Sequence, residues 1–391
     1  MSDPIRLGII GLGRAFTLML PTFAAHPLVR LTAAYDPRPD ASARFAEDFD
    51  AVAHDSAEAL CADPAIEAVY VASPHQFHVE HVKLAARHGK HVLVEKPMAL
   101  SVSDCLTMIE AARQYNIRLL VGHSHSYNGP YLRARAMIAS GAYGDVRMIN
   151  ALNFTDFLYR PRRSEELDTR QGGGVVFSQA AHQVDVVRLL AGRPAIEVRA
   201  FTGRWDPRRP TEGAYNAQIQ FADDTFAALT YSGYGRFDTD EFNGWIGELG
   251  QKRDPKLYGA ARALLSQSKS QEDETRLKDR RAYGPAASDA FRGGKDLMHN
   301  HFGLIVASCE RADLRPTPEG VFVYGDTERR LEKVPVPGVP RAEVVDEFHA
   351  AVRSNKTPLH SGEWGLATLE ICLAILRSAE AGTTIKLEYQ I

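Results

Sequence analysis

Two glycines one residue apart carry the first chemical signal. Gly11 and Gly13 follow the apolar run Ile5-Arg6-Leu7-Gly8-Ile9-Ile10 and precede a helical pattern over residues 17–25. Glycine is needed there because a side chain would hold the backbone away from a pyrophosphate. The helix beyond it offers that anion its free N–H groups and the positive end of its dipole. A second apolar run, residues 29–35, ends in Asp36, at the distance from the glycines expected of a group on an adenosine ribose. A carboxylate there accepts hydrogen bonds from both ribose hydroxyls and repels a 2′-phosphate. The pattern therefore favours NAD over NADP. Arg38 is placed to receive a 2′-phosphate and keeps NADP as the less favoured cofactor. The plainer readings are a simple glycine turn and an ordinary strand-end turn at Asp36-Pro37-Arg38. One position departs from the dinucleotide pattern: Phe16 stands where a third small residue is usual, which puts close packing of helix on strand in question.

The second signal is Val92-Leu93-Val94-Glu95-Lys96-Pro97. A buried parallel strand delivers the residues after it to the carboxyl edge of its sheet, where open α/β sheets bind ligands. Pro97 stops the strand and fixes the turn. A lysine beside a nicotinamide can hydrogen-bond the reacting hydroxyl. Partial desolvation or a cationic ring nearby lowers its pKa toward the working range. The plainer reading is a surface Glu-Lys pair at a strand end.

These residues need a scaffold, and the alternation of patterns supplies one. Helical patterns over 41–49, 56–61 (opened by a Ser56 cap), 77–88 (closed by Gly89) and 101–115 alternate with apolar runs over 65–72, 91–94 and 117–122. Strands alternating with helices imply a doubly wound parallel sheet with right-handed crossovers, here a dinucleotide-binding Rossmann domain over residues 1–122. From residue 123 the pattern changes. A helix over 130–140 is followed by strand-like segments over 146–157, 196–204, 214–221 and 226–233, with Ala222-Asp223-Asp224 as a hairpin turn. This predicts a second α+β domain, residues 123–391, with a large, mostly antiparallel sheet. Residues 238–296 are polar and charged and read as an inserted mobile loop or a solvated helix. A helical pattern is expected over 299–311, strands over 321–324 and 329–334, helices over 343–353 and 364–381, and a last strand over 383–387.

Composition narrows the partners. A net charge of −3 gives no reason to expect nucleic acid or an anionic membrane. No apolar run is long enough to span a bilayer, and the beginning of the chain does not read as a signal peptide. The four cysteines are scattered without a CxxC and read as reduced, consistent with the cytoplasm.

Taken together, Gly11-Leu-Gly-Arg, Asp36, Ser73-Pro74-His75-x-x-His78 and Glu95-Lys96-Pro97 resemble the glucose–fructose oxidoreductase/inositol dehydrogenase/MocA family. So does Gly172-Gly173-Gly174-Val-Val-Phe-Ser178-Gln-Ala180-Ala-His182-Gln-Val-Asp185. Ser178 and Ala180 replace an Asp and a Gly of the family pattern. The resemblance implies cofactor contacts from Gly11, Gly13, Arg14, Ala15, Phe16, Asp36, Arg38, Ser73, Pro74, His78, Glu95 and Lys96, with Glu95 near the nicotinamide ribose. It implies that Lys96 and His182 form the acid/base pair, with Asp185 one helical turn from His182. Ser178 in place of an Asp argues against a standard inositol-type site.

A narrower resemblance rests on residues 11–23, His299-Asn-His301-Phe-Gly with Ser308 to Pro316, and Leu369 to Ser378. These are similar to the phthalate dihydrodiol dehydrogenase branch, which implies NAD-dependent oxidation of a cis-4,5-dihydrodiol to 4,5-dihydroxyphthalate. A carboxylated substrate calls for cations, and Arg160, Arg163 and Arg170 lie close in sequence to His182. Their alternative is a solvated basic loop. Tyr127, in His123-Ser-His125-Ser-Tyr127-Asn128, is a further substrate candidate. That cluster also reads as cofactor-side packing or, least well, as metal ligands; no metal is expected. The other functional readings are a dehydrogenase of a sugar, a glycoside or another carboxylated aromatic intermediate, and a non-catalytic dinucleotide sensor. A homo-oligomer, dimer or tetramer, is expected by resemblance.

Overall fold

The computed structural model describes residues 3–285 and 297–391. Its contacts divide the chain into two units: Met1–His123 with Arg276–Gly293 and Pro337–Leu366, and Ser124–Thr275 with Gly294–Val336 and Ala367–Ile391. The elements of each unit lie within those described residues.

The first unit begins with the predicted alternation. Its strands are β1 (Ile5–Ile10), β2 (Val29–Tyr35), β3 (Val52–Ala53), β4 (Ala68–Val71), β5 (His91–Val94) and β6 (Leu119–Val121). Its helices are α1 (Arg14–Ala25), α2 (Pro39–Phe49), α3 (Ala57–Ala62), α4 (His78–Arg87) and α5 (Val102–Gln114). The strands are parallel in the order β3-β2-β1-β4-β5-β6. The order reverses between β1 and β4, and a doubly wound sheet binds its ligand at that point. Local chemistry sets the ends. The hydroxyls of Ser56 and Ser101 accept from Ala59 N (3.0 Å) and Asp104 N (3.1 Å), capping α3 and α5. β4 and β5 are almost entirely buried, as strands covered on both faces must be.

The second unit is built on α6 (Gly129–Ala139), β7 (Val146–Phe154), α7 (Ala181–Ala191), β8 (Ala195–Gly203), β9 (Ala214–Phe221) and β10 (Phe226–Ser232). There follow α8 (Ala260–Ser266), α9 (Gln271–Asp279), β11 (Leu304–Cys309), β12 (Asp313–Thr317), β13 (Gly320–Tyr324) and β14 (Arg329–Lys333). α10 (Ala342–Arg353) belongs to the first unit, α11 (Gly362–Ala381) follows it, and β15 (Ile385–Lys386) closes the sheet of the second. The sheet runs β14-β13-β12-β11-β7-β10-β9-β8-β15, antiparallel except for β7 against β10. Strand β9 alternates between buried Tyr215, Ala217, Ile219 and Phe221 and exposed Asn216, Gln218 and Gln220, so one sheet face is covered.

Three expectations are corrected. The helix expected over 299–311 is strand β11. Ile305 and Ala307 are buried, whereas Leu304, Val306 and Ser308 are half-exposed, a period of two that the β-branched run supports. Strand β12 was not anticipated because Pro316 lies in it. It pairs with β11 only through Leu314 and Asp313, so Pro316 lies beyond that ladder and no N–H is needed there. The insertion is no loose loop over its described part. It carries α8 and α9, and the buried Glu274 accepts from Arg209 Nη1 at 2.8 Å and from Arg162 N at 2.6 Å. Residues 286–296 of the expected insertion lie outside the described residues.

Candidate functional site

The turn after β1 is shaped for an anion. Gly11 has φ +96°, and a Cβ there would lie 2.7 Å from the Ala72 carbonyl oxygen, so only glycine fits between this turn and the end of β4. Gly13 caps α1 without a side-chain hydrogen bond, and nothing lies within 4 Å of where its Cβ would sit. Arg14 and Ala15 form the first turn of the helix, half-exposed. Phe16 turns inward and is fully buried against Phe45 (5.8 Å) and Tyr283 (5.5 Å). The missing small residue is thus accommodated by an aromatic cluster, completed by a residue from far along the chain.

Asp36 is buried at the end of β2. It accepts from Leu12 N at 2.7 Å, from Arg38 N at 2.9 Å and from Arg38 Nε at 2.8 Å. Arg38 Nη2 donates in turn to the Leu12 carbonyl at 3.1 Å, which Tyr283 N also reaches at 3.0 Å. The carboxylate and the glycine turn therefore form one braced element. An open glycine at a helix N-terminus, with a carboxylate at the neighbouring strand end, fits a dinucleotide carrying a free ribose 2′-hydroxyl.

Ser73 and Pro74 form the turn after β4. His78 is fully buried and ties that turn to the one after β5: its Nε2 lies 2.9 Å from the Ser73 carbonyl, and its Nδ1 lies 3.1 Å and 3.2 Å from the Pro97 and Met98 carbonyls. It positions both turns from beneath. Glu95 is also buried. Tyr70 donates to its Oε1, His123 Nδ1 lies 3.4 Å from the same oxygen, and Lys96 N donates to Oε2 at 3.2 Å. Burial alone would raise the Glu95 pKa, but the hydrogen bonds and charges of His123, Tyr70 and Lys96 hold it below the usual value. Burial, and then the positive charge of Arg341, hold His123 below its own usual value, favouring a neutral ring.

In the second unit every residue of α7 is buried, the charged ones included. Buried polar groups need partners, and several on α7 have them. Gln183 accepts from Tyr215 OH at 2.7 Å, Arg188 Nη1 donates to Thr368 Oγ1 at 2.8 Å, and Ser126 donates to Asp185. His182 Nδ1 lies 3.3 Å from Ser124 Oγ. Its ring meets His125 edge-on at 4.8 Å and Phe302 at 5.4 Å, with Tyr231 stacked on Phe302 at 6.2 Å. The turn before α7, Val176–Ala180, is π-helical and carries Ser178, half-buried. Such turns recur at functional sites. Glu212 braces this turn by accepting from Val176 N at 3.1 Å. Gly174, with φ +84°, leaves room for that carboxylate. Tyr127 is buried.

The histidine cluster after β6 diverges: His123 turns to Glu95, whereas His125 packs on His182 and meets Asn128 Nδ2 at 3.0 Å. Among the described residues no group of three His, Cys, Asp or Glu is placed to hold a metal. The arginines separate too. Arg160 Nε donates to Asp156 at 2.9 Å, with Glu248 3.8 Å from its Nη1, and a third of its side chain is exposed. Arg163 is half-buried, its N donating to Glu166 at 2.9 Å. Arg170 stands in solvent, its side chain 90% exposed and closed on Asp168, as in the solvated-loop reading. Sequence reasoning missed Tyr70, Ser124, Ser126, Tyr231 and Phe302. The two serines and Phe302 lay within motifs already singled out; Tyr70 and Tyr231 looked like any other aromatics in apolar runs.

Comparison with known proteins matches this geometry. A family profile described as an oxidoreductase family with an NAD-binding Rossmann fold matches residues 5–123, and one described as the GFO/IDH/MocA C-terminal domain matches residues 131–245. The chain is 45% identical, over 377 residues, to the 1-carboxy-3-chloro-3,4-dihydroxycyclohexa-1,5-diene dehydrogenase of Comamonas testosteroni, covering 96% of this chain and 95% of that one. The chain belongs to the Gfo/Idh/MocA oxidoreductase family. A solved structure from Bordetella bronchiseptica RB50, described as a dehydrogenase, superposes on this Gfo/Idh/MocA chain with a TM-score of 0.93 at 40% identity, over 98% of this chain and 100% of that one. The WlbA dehydrogenase of Bordetella pertussis, solved with NADH and UDP-GlcNAcA, shares the fold at a TM-score of 0.70 and 20% identity, over 99% of each chain. This Gfo/Idh/MocA member is an oxidoreductase with NAD as its cofactor, rather than a non-catalytic dinucleotide sensor. Among the described residues, no helix is long and apolar enough to cross a membrane.

Proposed function

We propose that this oxidoreductase dehydrogenates a carboxylated cyclic cis-dihydrodiol, with phthalate cis-4,5-dihydrodiol as substrate and 4,5-dihydroxyphthalate as product. The observation that carries the reading is the 45% identity, along almost the whole chain, to a relative named for a carboxylated dihydroxycyclohexadiene. NAD, when bound, supplies the acceptor for the hydride of the carbinol carbon. The chain's own residues handle the proton. Lys96 and His182 form the acid/base pair that takes the hydroxyl proton, and Asp185, fixed by Ser126, helps to position substrate beside His182. The rings of His125 and Phe302 against His182, with Tyr231 stacked on Phe302, suit a flat, unsaturated substrate. Oxidation gives a ketone that tautomerises to an aromatic catechol, which makes the reaction strongly downhill.

Arg160 is the favoured partner for a ring carboxylate, with Arg163 beside it; Arg170 is the weakest of the three because solvent surrounds it. The relative's name describes one carboxyl group and a chlorine, which favours a monocarboxylated diol as the second reading. Residues 1–122 supply the cofactor contacts and 123–391 the substrate contacts. The half-exposed face of the large sheet pairs with a second copy, giving a homo-oligomer. Dispersed free cysteines fit a cytoplasmic enzyme.

The test is absorbance at the reduced-nicotinamide band, with NAD and then NADP, against phthalate cis-4,5-dihydrodiol, its monocarboxylated counterparts and a panel of sugars. NADH formation with the dihydrodiols alone is expected. Turnover of sugars with none of the dihydrodiols would sink the substrate reading. Lys96→Ala and His182→Ala each retain NAD binding and lose about a hundredfold or more in turnover. A wild-type rate in either variant removes that residue from its role.

A further inference from the structure

Glu95 lies beside the lysine to which the proposed chemistry assigns proton transfer, yet its contacts face the protein interior. Only 4% of it is exposed. Oε1 faces the Tyr70 hydroxyl and His123 Nδ1, and Oε2 accepts the backbone N–H of Lys96. Tyr70 lies on β4 and is fully buried, with no surface to offer a cofactor or a substrate. Its phenol edges Phe23 at 5.0 Å, which fixes the ring and aims the O–H at the carboxylate. A buried carboxylate is costly unless it is paired and hydrogen-bonded. Here the chain has placed a phenol, an imidazole and a backbone amide around one carboxylate. The phenol and the imidazole come from outside the turn, from β4 and from the segment after β6.

We propose that Glu95 is the buried counter-charge and positioning group of Lys96, held in place by Tyr70 and His123, rather than a ligand of the nicotinamide ribose. The inference rests on Lys96 as a proton-transferring group. Glu95 fixes the Lys96 backbone through Oε2 and sets how readily the ammonium loses its proton. Tyr70 sets how much of the carboxylate's negative charge Lys96 feels, because a hydrogen bond to an anion spreads its charge. The other titratable groups around Glu95 are His123 beyond β6, Arg341 before α10 and His78 on α4. Burial holds both histidines below their usual pKa, and Arg341, whose Nη1 donates to the Leu18 carbonyl, adds a fixed positive charge nearby. The two substitutions that alter this arrangement least have opposite signs. Tyr70→Phe removes one donor and leaves the carboxylate more strongly negative, so Lys96 holds its proton to higher pH. Glu95→Gln removes the negative charge, so Lys96 releases its proton at lower pH.

The experiment is kcat/KM against pH for the wild type, Tyr70→Phe, Glu95→Gln and Lys96→Ala, with NAD affinity measured on each. The expected result is a rising limb that disappears in Lys96→Ala, moves up in Tyr70→Phe by a few tenths of a pH unit, and moves down in Glu95→Gln by about one unit. NAD affinity is expected to stay within about twofold in both Tyr70→Phe and Glu95→Gln, because the hydrogen bonds of both groups are made inside the protein. A limb that Lys96→Ala abolishes but that neither Tyr70→Phe nor Glu95→Gln moves overturns the inference and leaves Lys96 in its role. A large loss of NAD affinity in Glu95→Gln with the limb unmoved overturns it in favour of a ribose ligand. A limb that persists in Lys96→Ala at the wild-type rate removes the reading of Lys96 on which it rests. Tyr70→Phe deletes a single oxygen and keeps the ring packing, so it decides the matter even where Glu95→Gln fails to fold.

Discussion

Replacing Asp36 with alanine tests how the cofactor is chosen. The carboxylate meets Leu12 N at 2.7 Å and the backbone and Nε of Arg38 at 2.9 and 2.8 Å. Leu12 is fully buried, so its N–H loses its partner in the variant; an unsatisfied buried donor costs about 1–3 kcal/mol of stability. A hydrogen bond from a ribose hydroxyl to a charged carboxylate contributes about 1.5–3 kcal/mol, and each 1.4 kcal/mol is about tenfold in affinity. NAD affinity therefore falls by about ten- to a hundredfold. The effect on NADP has the opposite sign. The variant removes the charge that repels a 2′-phosphate and releases the Arg38 guanidinium, which forks onto both Asp36 oxygens. A freed guanidinium binds phosphate through charge-assisted bonds. The ratio of kcat/KM for NAD over NADP should fall by about a hundred- to a thousandfold. It is measured at one fixed ionic strength, because screening weakens the phosphate contribution. Arg38→Ala in the Asp36→Ala background should take the NADP gain back. An equal loss with both cofactors would refute the reasoning and leave Asp36 as a brace of the glycine turn only.

Other outcomes follow from named contacts. Glu274→Ala strands the buried Arg209 and should cost about 3–5 kcal/mol, read as a lower denaturation midpoint. Phe16→Ala opens a cavity between Phe45 and Tyr283 and should cost about 3–5 kcal/mol. Ser126→Ala removes the donor to buried Asp185; about 1.5–3 kcal/mol of stability is lost, and turnover falls with NAD affinity unchanged. Burial would raise the Glu67 pKa, but the Arg353 hydrogen bond and the Arg6 N–H and charge hold it below its usual value. Its stabilising contribution is then present above the unfolded carboxylate pKa, about 4.3, and is lost as pH falls through the lower folded value. Glu67→Gln should flatten the acid side of the Tm-against-pH curve.

The first unit was legible because its signals are local. Glycines, caps and apolar runs sit next to the backbone they shape, and Asp36 is separated from the glycine turn by a single helix and strand. The second sheet was legible where its strands alternate cleanly, as β9 and β10 do. It was misread in two places: the β-branched run of β11 is short and sits inside a longer apolar stretch, and Pro316 hides a strand. The candidates Lys96 and His182 were named from motifs. Their supports were not, because nothing in a run such as Ala68-Val69-Tyr70-Val71 shows that one hydroxyl will meet a glutamate twenty-five residues on. The polar insertion looked solvated because burial of Glu274 and Tyr283 depends on partners far away in sequence.

Tyr283 and Arg341 carry a consequence for how the molecule is made. The first donates its backbone N–H to the glycine turn and its hydroxyl to Asp48 at 2.5 Å; the second adds its charge near Glu95. Ser361 bridges to Leu120 at the edge of the parallel sheet. A ribosome that has released only the first six strands has therefore not released the side chains that close the aromatic cluster at Phe16 or brace the sheet edge. The nascent nucleotide fold, with Phe16 held on Phe45 alone, waits for residue 283 to complete its cluster and for residue 361 to reach its sheet edge. A graft of the N-terminal third onto another protein would carry that cluster without the ring that closes it.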